Sequence, residues 1–179
     1  EEEQLPPEKR KSYFRFIQNA ADRMGMLIDT VFQYMQLDDL SQIQEIPCDM
    51  QDVVSGVKEN LARLIAEKGA EINYSNMPQV SANPVHMMQI IQNLVANAIR
   101  HNDKKLTIEV TAEGNGNNWL FAVRDNGVGI AREQLNNILM PFKRLTHRDG
   151  CAGLGLAICK KIVNSYGGEI WCESVVGMG

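Results

Sequence analysis

The chain has 179 residues, 44% of them hydrophobic and 22% charged, with a formal net charge of -4. Such a composition suits a soluble globular protein with one cored domain and a smaller attachment, and its mild acidity argues against nucleic acid or an anionic membrane as main partner. Apolar runs fall short of the roughly 18 residues of a spanning helix, and Glu1 to Gln4 is the opposite of a signal peptide, so no direct membrane contact is expected of this segment; an anchor upstream of Glu1 stays compatible with it.

The first predicted element is a helix reaching about Leu40. Phe14, Ile17, Ala21, Met24, Ile28, Val31 and Met35 recur in alternating steps of three and four, a heptad seam with Arg15, Gln18, Asp22 and Asp29 off it. One amphipathic helix cannot bury its own stripe. The seam packs either on partner helices or on the rest of the same chain; the repeat suits helix-on-helix packing, and the element is read as a dimerisation helix. A polar connector, Ser41 to Glu45, separates it from the remainder, which divides the chain into 1–42 and 43–179.

The second part alternates strands and helices. Ile46 to Cys48 reads as a short strand, and Asp49 can cap a helix that carries Val53, Val57, Leu61, Leu64 and Ile65 and stops at Gly69. A strand near Ile72 to Tyr74 follows, and Asn83-Pro84 opens the next helix. Leu106 to Ala112 and Trp119 to Arg124 form a predicted hairpin around Gly114 to Asn117. A last helix, Leu156 to Ser165, ends at Gly167-Gly168 before a predicted strand, Glu169 to Glu173. Because hairpins recur among the helices, an α+β fold is expected, a mixed sheet with helices on one face. Four cysteines (Cys48, Cys151, Cys159, Cys172) show no metal-type spacing and are expected to be buried reduced thiols, as in a reducing cytoplasm.

Three segments could carry chemistry. On the helix from Val85 to Arg100 a polar line of Gln89, Asn93, Asn97 and Arg100, spaced four, four and three, runs through an otherwise apolar surface. It could be a solvated face, but amides and an arginine suit Mg²⁺ and phosphate better than Lys and Glu would. Asp125-Asn126-Gly127-Val128-Gly129 follows a strand, where a carboxylate can accept from an exocyclic amine; a plain turn reads the same way. Gly153-Leu154-Gly155-Leu156 opens a helix, a place for an anion or for close helix packing. Between the last two, Pro141 to Leu145 and a polar stretch to Gly150 look like a lid.

Together, in this order, these segments resemble the sensor histidine kinases. Asn93 to Ala98 is similar to the family's N box, Asp125-x-Gly127-x-Gly129 to its G1 box, Phe142-Lys143-Arg144 to its F box, and Gly153 to Leu156 to its G2 box. Gly177-Met178-Gly179 is similar to the start of the last glycine turn, and the heptad helix to the second helix of the dimerisation and phosphoacceptor hairpin. The resemblance implies the two-layer α/β sandwich known as the Bergerat ATP-binding fold, with ATP and Mg²⁺ bound. It implies Mg²⁺ on Asn97 and the adenine amine on Asp125, with Gly127, Gly129 and Ile130 beside the base. Arg100 and His101 would meet the ribose or phosphates, and Phe142, Arg144, Gly153, Leu154, Gly155 and Leu156 would close over the triphosphate. Asn93, Asn97 and Arg100 are the expected catalytic residues. Related ATPases carry glutamate where Asn93 stands, and an amide cannot activate water, so hydrolysis should give way to phosphoryl transfer to a histidine and on to a response-regulator receiver domain.

The sequence also departs from that pattern. Cys151 stands where the family has glycine, the lid is short, Asn83 replaces an aspartate, and the chain stops at Gly179, before the strand that normally closes the sheet. His86, His101 and His147 lack the acidic and proline neighbours of a phosphoacceptor, so the acceptor is expected outside this chain. His147-Arg148-Asp149 matches the protein-kinase catalytic loop only by chance. The alternatives are an ATPase or serine kinase of the same superfamily, and a kinase-inactive module for dimerisation and response-regulator binding.

Overall fold

A computed structural model describes residues 6–36, 44–100, 102, 106–116, 118–135, 137–143 and 153–179. Helix α1 (Pro7–Gln36) carries the heptad seam, and most of that seam faces outward: Phe14 is 73% and Ile28 68% exposed. Among the described residues, the last part docks on the same chain. Val31 and Tyr34 pack against Leu154, Ile158 and Ile162, and Lys161 donates to the Tyr34 carbonyl at 2.9 Å while its ammonium lies 4.3 Å from the centre of the Tyr34 ring.

Strand β1 (Ile46–Asp49) runs into α2 (Met50–Asn60), where the Asp49 carboxylate caps the helix by accepting from Gln51 N–H at 2.8 Å. The single helix expected from Asp49 to Gly69 is two, because Leu61 leaves helical geometry before α3 (Ala62–Lys68), which ends on left-handed Gly69 as read from the sequence. Strand β2 (Glu71–Tyr74) follows, then β3 (Gln79–Ala82), which the sequence reading missed: Gln-Val-Ser-Ala has too little apolar alternation to announce a strand, yet it pairs antiparallel with β1.

Helix α4 (Pro84–Arg100) starts where expected, with Asn83 Oδ1 accepting from Val85 N–H at 2.9 Å. Strands β4 (Thr107–Asn115) and β5 (Asn118–Asp125) form the hairpin, longer and with a tighter turn than predicted. Parallel β2–β4 and antiparallel β4–β5 pairing make the expected mixed sheet, in the order β2-β4-β5, with β1 and β3 as a separate ribbon. Its inner face buries Ile72, Ile108 and Val110 against Val53 and Val57 of α2 and Ile91, Val95 and Ile99 of α4, while Glu109 points outward. A single turn, α5 (Arg132–Leu135), precedes α6 (Gly155–Ser165), which packs on α4.

The strand expected over Glu169 to Glu173 does not form. Its composition suits a pleated surface, but a ladder needs a backbone partner, and among the described residues no pairing joins this segment to β5.

Candidate functional site

Helix α4 is apolar toward the sheet and polar along one flank. Gln89, Asn93 and Asn97 are half-buried there, and Arg100 is exposed at the end. Asn93 Nδ2 donates to the Gly155 carbonyl at 3.3 Å, which joins the polar line to the first residue of α6. A Cβ on Gly155 would lie 3.4 Å from the Asn93 amide oxygen, an ordinary van der Waals contact, so the two elements meet closely here without a clash. The neighbouring Leu154 is fully buried with Ile158 and Ile162. Its side chain therefore belongs to the core, and any contact it makes with a ligand is through the backbone. Leu156 is half-buried one step further on.

The other end of α4 reaches the carboxylate turn. Asp125 is the last residue of β5, opposite Ile108, and its Oδ1 accepts twice: from Gly127 N–H at 2.9 Å and from Asn102 Nδ2 at 3.2 Å. Asn126 Oδ1 accepts from Thr107 N–H at 2.9 Å, which fastens the turn to the start of β4. Gly127 is buried, and a Cβ there would overlap the Asn102 amide and the Asp125 carboxylate. Gly129 has φ +68 and lies so close to the Val175 carbonyl that no side chain fits.

The C-terminal turn straps this loop. Ile130 N–H donates to Ser174 Oγ at 2.7 Å, the same hydroxyl donates to the Gly179 carbonyl at 2.9 Å, and Gly177 N–H donates to the Val128 carbonyl at 2.8 Å. On the lid side, Phe142 N–H donates to the Gly153 carbonyl at 2.8 Å, and both residues have positive φ. A left-handed aromatic residue is uncommon, and the Phe142 ring is 63% exposed. His101, Arg144, Cys151 and His147 lie outside the described residues.

Burial pushes the Cys159 thiol up to about 12 against a hydrogen bond from Asn93 that lowers it, and burial also raises Cys48 ahead of its neighbours Asp49 and Asp52. Both are buried protonated thiols, as expected; Cys172 is half-buried.

The other two candidate segments thus converge on α4: the glycine helix on its flank, the carboxylate turn at its end. Two residues of this cluster, Asn102 and Ser174, escaped the sequence reading. Asn102 lies off the helical spacing of the polar line, and its position just past the helix end was its only signal. Ser174 gave none, since its partner Ile130 is remote in sequence.

Residues 82–179 match the family described as Histidine kinase-, DNA gyrase B-, and HSP90-like ATPase. Phytochrome-like protein Cph1 of Synechocystis sp. is 39% identical over 176 residues, which is 96% of this chain and 23% of that protein. The crystal structure of full-length ShkA in complex with AMPPNP superposes with a TM-score of 0.80 at 27% identity, covering 98% of this chain and 38% of ShkA. Histidine kinase ThkA in complex with response regulator protein TrrA shares the fold, with a TM-score of 0.72 at 22% identity over 95% of this chain and 49% of ThkA. The chain spans less than a quarter of the length of the curated relatives Cph1 (23%) and Cyanobacterial phytochrome A of Nostoc sp. (22%).

Proposed function

The chain belongs to the histidine kinase-, DNA gyrase B- and HSP90-like ATPase family, and from that membership we propose that it is the ATP-binding catalytic module of a sensor histidine kinase. The observation that carries the reading is the convergence on α4, where Asn93 and Asn97 stand half-buried between Gly155 and the Asp125 turn. An adenine nucleotide fits this corner. Asp125 has one oxygen committed to Asn102 and Gly127, which leaves the other for an exocyclic amine, and Gly127 and Gly129 keep side chains out of its way.

In this reading Asp125 orients the base and Ile130 lines its edge, while Arg100 and His101 meet the ribose and phosphates. Phe142, Arg144 and the backbone of Gly153, Leu154, Gly155 and Leu156 close over the triphosphate. Asn97 offers a neutral amide oxygen suited to Mg²⁺, which when bound neutralises charge on the transferring phosphoryl group. Catalysis is positioning and electrostatics rather than covalent chemistry by this chain. An amide at Asn93 can hold water but cannot take its proton, so the γ-phosphoryl is kept for a histidine outside this chain. The ThkA–TrrA pairing supports a response-regulator receiver domain as the onward acceptor. The exposed heptad seam of α1 supports a homodimer through that helix, in a protein whose kinase module works in the cytoplasm.

Asp125→Asn and Asn97→Asp are each expected to weaken Mg-ATP binding sharply while the circular dichroism spectrum stays unchanged; the first removes a charge-assisted acceptor worth about 1.5–3 kcal/mol. Calorimetric titration checks this, and wild-type affinity in both variants rejects the site. ATP hydrolysis with no phosphohistidine formed on an added phosphoacceptor helix would instead favour a family ATPase.

A further inference from the structure

Asn102 is 5% exposed, the one buried polar side chain among the described residues. Its Nδ2 donates twice, to the Ala98 carbonyl at 3.2 Å and to Asp125 Oδ1 at 3.2 Å. These two acceptors settle the amide's orientation: turned over, its oxygen would face a carbonyl and a carboxylate with no proton between them. Asn102 Oδ1 is then left buried without a partner, an arrangement that costs stability unless something else is gained. Gly127 closes the same corner, since any Cβ there would overlap Asn102 and Asp125 together.

From this geometry we infer that Asn102 is a positioning residue for base recognition, holding Asp125 by Oδ1 so that Oδ2 faces the exocyclic amine of the purine. The inference rests on the nucleotide reading above. A carboxylate can rotate about its Cβ–Cγ bond, and its two oxygens are equivalent until something distinguishes them. Gly127 N–H alone fixes one oxygen from within the turn. Asn102 adds a second bond from the end of α4, outside the turn, so the carboxylate plane is set by the helix that also carries Asn93 and Asn97. The selectivity that follows is for an amine-bearing base: a keto oxygen at that position would confront an acceptor already committed to accepting.

The test compares ATP with purine riboside triphosphate, which lacks only the exocyclic amine, on the 179-residue chain with Mg²⁺. Wild-type protein is expected to bind ATP more tightly by at least about tenfold. In Asn102→Leu, which cannot donate, and in near-isosteric Asn102→Asp, that preference is expected to collapse to about twofold or less while affinity for purine riboside triphosphate is held. Whichever variant keeps the wild-type fold by circular dichroism is decisive. An equal loss for both nucleotides means Asn102 is merely structural and overturns the inference, as does an unchanged preference. If the wild type itself shows no preference, the assignment of Asp125 falls, and the inference with it.

Discussion

At Gly127 a hydrogen atom does what no side chain could. Its Cβ position is already filled by the Asn102 amide and the Asp125 carboxylate, so Gly127→Ala must displace one of the two groups that set the carboxylate. Overpacking of this kind costs about 1–3 kcal/mol. Gly127→Ala is therefore expected to lower the urea midpoint and to abolish ATP binding together. Gly25→Ala, on an open stretch of α1, is the control: it should leave binding untouched and gain up to about 1 kcal/mol. Denaturant titration and calorimetry on the two variants check both halves. The residues that carry the carboxylate turn were readable in the sequence because glycine and aspartate advertise themselves at short spacing. Asn102 and Ser174 were not, because each matters through a partner distant along the chain, Asp125 and Ile130.

Elements announced themselves where the chain caps them. Asp49 starts α2, Gly69 ends α3 and Asn83 starts α4, each by a local bond or backbone geometry that needs nothing else to be in place. Strands were legible where apolar residues recur: β4 and β5 stood out and the short β1 and β2 were read, but β3 was not, and Glu169 to Glu173 has strand composition without a partner. The heptads of α1 were legible for the same reason, and their exposure has a measurable consequence. Ile28 lies on the open seam, so in the proposed homodimer Ile28→Asp is expected to shift the chain toward monomer in sedimentation velocity, with ATP affinity unchanged. A wild-type chain that stays monomeric at high concentration would reject the proposed dimer.

For the molecule as a whole, Tyr166 joins what would otherwise be two cores, packing against both the sheet cluster and the Leu154 cluster. Its hydroxyl accepts from Asn83 N–H at 3.0 Å and is hydrogen-bonded to His86 Nδ1, also at 3.0 Å, with the direction of that second bond set by the imidazole tautomer. Burial lowers the His86 pKa from 6.5. Below that value the unfolded chain takes up the proton first, so the contribution of His86 to stability is complete above 6.5 and is lost as pH falls through the folded-state pKa. The denaturation midpoint is expected to drop between about pH 7.5 and about pH 5.5, and the drop to shrink in His86→Gln. An identical pH response in the variant would place the titration elsewhere.

Leu154 has a glycine on either side, one bonded to Phe142 and the other to Asn93, while its own side chain belongs to the buried cluster against which Val31 and Tyr34 of α1 pack. Close-packed side chains slide poorly past one another. The arrangement is that of a pin through two plates: the end of the long helix and the glycine backbone share one buried cluster, so a displacement of either repacks the contacts of the other.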